Sequence, residues 1–165
     1  MAQEGRIDRR QILKGAGAIS VGALAALAPA TVLADNGNNA EGLLGTWNAP
    51  HTHETGPFAG TTTDGNITFT PGGALIADDT DSPATGLGNW VKSGENRFQF
   101  TFHTFVFNPN FPSGTKVKVR AQGTHNENSI RGRFSFQIYH PSGNAIPRVA
   151  GTGSFHGGRI PVEPV

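Results

Sequence analysis

Residues 115–155 read TKVKVRAQGTHNENSIRGRFSFQIYHPSGNAIPRVAGTGSF, and this stretch predicts three neighbouring strands of a β-sheet. Two groups of turn-forming residues interrupt it, NENS at 126–129 and PSGN at 141–144. If each group joins two antiparallel strands, the residues flanking each turn are paired with one another. Paired residues share a face of the sheet, so the two turns assign every residue of three strands to a face.

The assignment separates the residues into one apolar and one basic face. Rows on the apolar face are His125/Ile130/Phe155, Gly123/Gly132/Gly153, Ala121/Phe134/Gly151, Val119/Phe136/Val149, Val117/Ile138/Pro147 and Thr115/His140/Ala145. The other face holds Lys116, Lys118, Arg120, Gln122, Arg131, Arg133, Gln137 and Arg148. A slip of either hairpin by one residue would mix the two classes, so the separation supports this sheet.

The rest of the chain continues the pattern of short strands. It has 165 residues with 23 glycines and 11 prolines, and turn signals recur about every ten residues. No helical stripe after residue 34 exceeds two turns. We predict an all-β protein, a single antiparallel up-and-down β-barrel of about eight strands over residues 43–161. The absence of cysteine excludes disulfides, a thiol nucleophile and cysteine-ligated metal sites.

Residues 8–14, DRRQILK, resemble the twin-arginine export signal, with Arg9 and Arg10 as the pair. The apolar stretch that follows, 15–28, is too short and too rich in glycine and alanine for a stable membrane anchor. We predict a signal peptide over 1–34, cleaved after Ala34 or at a competing site after Ala30, and a flexible leader over 35–42. The resemblance implies a bacterial protein handled by the twin-arginine export machinery and located in the periplasm or medium.

Charge divides the predicted mature chain into two halves. Residues 35–95 hold eight acids and one base, whereas residues 96–165 hold eight bases and two acids. The halves attract each other in a closed fold. The basic half has few aromatic residues beside its cations, so we do not expect nucleic-acid binding. Oligomeric state is left open by the sequence.

Two short motifs resemble known small barrels. Gly45-Thr46-Trp47 resembles the Gly-x-Trp signature of lipocalin-type (calycin) barrels, which implies a tryptophan at the closed end, stacked by a basic residue of the last strand such as Arg159. Residues 151–155, GTGSF, are similar to a motif of dirigent proteins and allene oxide cyclases, which implies an enzyme barrel. The catalytic acids of those enzymes have no matching position here, and fold alone does not decide between binding and catalysis.

Histidines are the candidate reactive groups. His51 and His53 lie two residues apart and share one side of a strand, similar to half of a cupin metal motif, but no second half follows. We therefore expect a polar strand end near the barrel mouth, with a metal site as the alternative, and no cofactor. His125 and His140 fall at opposite ends of the apolar face, where each is a candidate catalytic acid or base, or else a half-buried, hydrogen-bonded ring.

Phenylalanine dominates the aromatic residues, with eleven Phe against two Trp and one Tyr. We predict an apolar ligand site lined by the following residues: Phe98, Phe100, Phe102, Val119, Phe134, Phe136 and Val149. The row Gly123/Gly132/Gly153 is expected to leave room for a ligand, although glycines also serve barrel curvature. Phe105 and Phe107 have the opposite parity to Phe98, which predicts either a bulge or a strand buried on both faces. The loop 108–114 is expected at a barrel mouth, as a lid or as an ordinary surface loop.

Three functions fit these observations. The first is a binding module that holds a small apolar molecule in the lumen. The second is a cofactor-free cyclase, isomerase or hydratase that moulds an apolar substrate and moves a proton with one histidine. The third is a structural or accessory barrel plugged by its own side chains.

Overall fold

The computed structural model describes residues 42–80 and 82–164, apart from the side chain of Arg148. The predicted signal peptide, 1–34, and the leader up to residue 41 lie outside the described residues. Within the described part, no helix is long and apolar enough to cross a membrane.

The described residues form ten β-strands, each antiparallel to its neighbours. Their bounds are β1 Gly45–Asn48, β2 His51–His53, β3 Thr62–Thr63, β4 Gly65–Phe69, β5 Ala74–Asp79, β6 Ser82–Gly94, β7 Arg97–Phe105, β8 Lys116–His125, β9 Ser129–Tyr139 and β10 Ala145–Arg159. Strands β4 to β10 pair in sequence order, and β1 pairs with both β4 and β10. This last pairing closes the sheet into a barrel, which removes its exposed edges.

The four shortest strands are segments of two barrel strands. Trp47 pairs with Arg159 and His51 with Phe155, so β1 and β2 keep a single register along β10. Strands β3 and β4 likewise keep a single register along β2 and β1. Pro50, which has no N–H to donate, lies in the gap between β1 and β2. The predicted all-β, up-and-down barrel of eight strands is therefore confirmed.

The predicted register is right for β8 and β9 and shifted for β10. Gly123 pairs with Gly132 as expected, but Gly132 pairs with Phe155 instead of Gly153. The ladder is irregular between Ala145 and Ala150, and the Gln137 amide fills this stretch by donating to the Ile146 carbonyl at 3.0 Å. The shift is by two residues, so the alternation of inward and outward side chains is preserved.

Phenylalanine rings lie against glycines of the neighbouring strand along the inner wall. The cross-strand pairs are Phe98/Gly123, Phe134/Gly153, Phe136/Gly151 and Phe155/Gly132, and the Phe102 ring lies against Gly86. A methyl group on Gly132 would lie 2.5 Å from the Phe155 ring, and one on Gly123 would lie 2.7 Å from the Phe98 ring. The expectation that the glycine row leaves room for a ligand is therefore wrong, because rings already occupy that space.

One end of the barrel is closed by Trp47, which is fully buried. Its indole N–H donates to the Leu43 carbonyl at 2.9 Å, and the Arg159 guanidinium stacks 4.2 Å from the ring centroid. Arg159 also donates to the carbonyls of Leu44, Gly42 and Glu127, which ties the first described residues to the last strand. The expected stacking of Arg159 on Trp47 at a closed end is confirmed.

Strand β7 contains neither of the two features predicted for it. Its pairing with β8 is continuous from Arg97 to Phe105, so no bulge resets the alternation. Phe98 and Phe100 are buried, whereas Phe105 is 48% exposed on the outer face. The change of parity therefore separates the buried Phe98 and Phe100 from Phe105 and Phe107, which are exposed near the open end of the barrel.

Replacing Gly132 with alanine should lower the free energy of unfolding by about 1–3 kcal/mol, because the added methyl overlaps the Phe155 ring and a backbone carbonyl. Urea denaturation of the purified protein measures this change. Gly72→Ala is the matched control, since a methyl there meets no atom within 4 Å. Equal stability of the two variants would contradict the close Phe–Gly packing.

Candidate functional site

The half of the barrel away from Trp47 contains a cavity of about 330 Å³. It lies between the inner walls and the loops at the open end of the barrel. Aromatic and aliphatic groups dominate its wall, including Phe100, Phe102, Val117, Val119, Phe134, Phe136, Ile138 and Phe155. Such a pocket, mostly apolar with a few polar groups, is typical of a small-molecule site.

Stacked rings separate the cavity from the closed end. Phe98, Phe100 and Phe102 alternate inward along β7, with successive ring centroids 6.1 Å apart and nearly parallel planes. Phe98, at the bottom of this ladder, is fully buried against Phe69 and Phe155. The ladder therefore forms both part of the core and part of the cavity wall.

Five of the seven predicted ligand-binding residues line the cavity. These are Phe100, Phe102, Val119, Phe134 and Phe136. Phe98 lies below it in the core, and Val149 lies in the irregular stretch of β10 away from the wall. The alternation along β7, β8 and β9 was sufficient to find the five, whereas the irregular start of β10 has no comparable signal.

His51 and His53 project into the cavity from β2. Their ring centroids are 5.4 Å apart, and both rings meet Phe134 edge to face at 5.6 and 5.3 Å. His53 makes the same kind of contact with Phe136 at 5.3 Å. The sequence predicts this pair at a polar strand end near the barrel mouth, and the structure places both rings in the cavity wall. Because β1 and β2 form one barrel strand, the two histidines share the inward parity of Trp47.

The cavity wall carries few other polar groups. The Thr104 hydroxyl donates to the Ala84 carbonyl at 2.7 Å and lies 3.2 Å from the Ser82 hydroxyl. Asp79 lies at the rim, on the inward parity of β5. Among the described residues, no group of three His, Cys, Asp or Glu side chains is arranged to hold a metal ion. A metal bound by His51 and His53 would have only these two protein ligands here.

The two predicted catalytic histidines do not line this cavity. His125 lies at the closed end, where its Nδ1 atom is buried without a hydrogen-bond partner. Burial lowers the pKa of His125 and the charges of Lys92 and Arg159 lower it further, whereas a backbone hydrogen bond at Asn126 opposes them. His140 is exposed in the turn before β10, and its ring nitrogen lies 3.0 Å from the Ser142 hydroxyl.

Two loops surround the cavity mouth. Phe58, in the loop 54–61, tilts over Phe136 with a centroid distance of 5.7 Å. The loop 108–114 lies at the mouth as expected, and its Phe111 joins the cavity wall. The buried Thr115 anchors this loop by donating to the Pro112 carbonyl at 2.7 Å. Whether the loop moves as a lid stays a prediction.

Comparison with protein-family models finds none that matches this chain, and the curated proteins contain no match either. The closed eight-strand barrel with Arg159 on Trp47 is compatible with a lipocalin-type barrel. Function must therefore be argued from the cavity itself.

The pH dependence of stability should include a contribution from His125. Its protonation is disfavoured in the folded state, so the contribution is present above the ordinary histidine pKa of about 6.5 and is lost as pH falls through the lowered folded pKa. Urea midpoints measured from about pH 7 to pH 5 should decrease less for His125→Gln than for the unmodified protein. His140→Gln, altered in an exposed turn, is the control. Identical pH profiles for all three proteins would contradict the assignment.

Proposed function

We propose that this protein binds a small apolar molecule inside the barrel. The observation that carries the proposal is the cavity of about 330 Å³ that is open at one end and has a mostly apolar wall in which phenylalanine is the most frequent residue. The cavity is near the lower limit of small-molecule sites, about 300–1,000 Å³, which favours a compact ligand over a long lipid chain. Its existence supports the binding function over a plugged structural barrel.

The wall favours a ligand with flat or branched apolar groups. Phenylalanine rings backed by glycine present broad faces to the lumen, and their contacts are dispersion and hydrophobic contacts without a fixed direction. His51 and His53 are the only two histidines on this described wall and can orient one polar group of the ligand. The site therefore fits an apolar molecule with a single polar end.

A cofactor-free enzyme of the cyclase, isomerase or hydratase type is the second candidate. It is favoured by the two histidines whose rings lie side by side in an apolar lumen. Moving a proton within a bound substrate requires a proton acceptor and a proton donor close together, and two imidazole rings side by side can serve as the two groups. In this case His51→Gln or His53→Gln would abolish turnover and leave ligand binding nearly unchanged.

We also propose that residues 1–34 direct export through the twin-arginine route to the periplasm or medium. The support is the motif around Arg9 and Arg10, followed by a short apolar stretch and small residues before position 35. Binding of apolar molecules is compatible with a compartment in which such molecules are taken up or released.

Export should fail when both arginines of the motif are replaced by lysine, because the receptor reads the guanidinium pair and charge alone does not substitute for it. The fractions of Arg9→Lys/Arg10→Lys protein inside and outside the cytoplasm are compared in the native bacterium. Arg6→Lys, a similar change outside the motif, serves as control. Undiminished export of the double variant would exclude the twin-arginine route.

Filling the cavity should weaken ligand binding. In Val119→Trp an indole occupies the lumen, so the affinity for a fluorescent apolar probe such as N-phenyl-1-naphthylamine should fall about tenfold or more. Gln122→Trp adds the same ring to an exposed position of the same strand and should bind as the unmodified protein does.

Native mass spectrometry before and after mild organic extraction complements this test. A mass excess lost on extraction identifies the natural ligand. Equal probe affinity of the two tryptophan variants would refute binding in the lumen.

A further inference from the structure

The outer wall formed by β7, β8 and β9 is basic. Lys116, Lys118 and Arg120 occupy successive outward positions of β8. Arg133 adds a cation on β9 and is ion-paired with Glu54 from the neighbouring loop. The outward positions of these three fully described strands contain no carboxylate. This wall therefore presents a positive potential that its own strands do not neutralise.

His103 reports that potential. It lies on the outer face of β7, where it pairs with Lys118. Its pKa is lowered first by partial burial and then by the positive charges of Lys118, Lys116 and Arg120. The three cations that disfavour protonation of His103 attract an anion by the same Coulomb interaction.

Apolar side chains lie beside these cations at the open end. Phe107 is 70% exposed, Phe105 is 48% exposed, and both lie at the cavity mouth. The last row of β7, β8 and β9 at this end reads Phe105, Lys116 and Tyr139. We call the set Phe105, Phe107, Lys116, Lys118 and Tyr139 the mouth rim.

We propose that the mouth rim docks the open end of the barrel onto a bilayer surface that contains anionic phospholipid. Aromatic rings with lysines beside them are the combination that enters the interface of a membrane, where the rings meet acyl chains and the ammonium groups meet phosphates. A soluble polyanion would satisfy the lysines but offers no apolar phase to Phe107. An anionic lipid surface is therefore the partner that contacts both the aromatic rings and the lysines of the mouth rim.

Charge also orients the docked barrel. Asp64, Asp78 and Asp79 lie near the mouth on the side of β4 and β5. An anionic surface repels these residues and attracts β7 to β9, so the barrel tilts with the mouth rim towards the lipid. The docking does not depend on an occupied cavity and can be tested with ligand-free protein.

A charge-matched pair of variants tests the location of the contact. Protein is floated with vesicles of phosphatidylcholine alone or with added phosphatidylglycerol. We expect binding only with phosphatidylglycerol, decreasing with salt. Each lysine near such a surface contributes about fivefold to affinity, so Lys116→Gln/Lys118→Gln should bind about tenfold or more weakly. Arg97→Gln/Arg131→Gln removes the same charge at the closed end and should bind nearly as the unmodified protein does.

A tryptophan probe tests insertion of the rim. The emission of Phe107→Trp should shift to the blue when phosphatidylglycerol vesicles are added, because the indole leaves water. Ile160→Trp is the control, since Ile160 is 46% exposed near the closed end and should not shift.

Three outcomes overturn the proposal. One is an equal loss of vesicle binding in the two charge variants, and another is a blue shift of both probes or of neither. The third is binding to soluble polyphosphate without binding to vesicles, which would make the basic wall a polyanion site. All four substitution sites for charge are on the outer face, so the variants should fold, and a retained affinity for N-phenyl-1-naphthylamine confirms that the cavity is intact.

Discussion

The pairing of phenylalanine with glycine across neighbouring strands is the contact on which the rest of the barrel depends. A ring that lies over a glycine packs against backbone on one side, and its other side meets the core, as for Phe98, or the cavity, as for Phe134. Five such contacts are distributed around the inner wall. They allow neighbouring strands to carry large rings in a narrow barrel that still contains a cavity. The combination of phenylalanine and glycine thereby serves the core, the curvature of the sheet and the proposed ligand site.

The two ends of the barrel differ because their polar groups are used differently. At the closed end, Arg159 satisfies three backbone carbonyls and covers Trp47, so the chain termini of the barrel are fixed together. At the open end, the loops that contain Phe58 and Phe111 border the cavity with aromatic side chains. The contacts that fix the chain termini thus lie at the end opposite the cavity. A ligand can therefore enter or leave without breaking them.

Alternation and turn residues were sufficient to predict the barrel, the faces of β8 and β9 and most of the cavity wall. These signals could not predict the strand register where a side chain hydrogen-bonds to the backbone in place of the neighbouring strand. The start of β10 shifts because Gln137 occupies an irregular stretch, and strand propensity contains no sign of that contact. The prediction that the glycine row leaves room for a ligand was wrong for a related reason. A glycine indicates that another group approaches the backbone closely, but it does not show whether that group is a ligand or a side chain of the protein. The inward direction of His51 and His53 could have been predicted, because both continue the odd-numbered positions that begin with Trp47. Pro50 suggested that the strand ends there, although β1 and β2 form one barrel strand.

The contact between Arg159 and the Leu44 carbonyl joins residues 115 positions apart, and β1, which begins at the next residue, pairs with β10 to close the sheet. Every other neighbouring pair of barrel strands is joined by a turn or a loop of the chain itself. A growing polypeptide can therefore form hairpins early, but the cylinder cannot close until its final strand has been synthesised. Such long-range closure raises the contact order and slows folding.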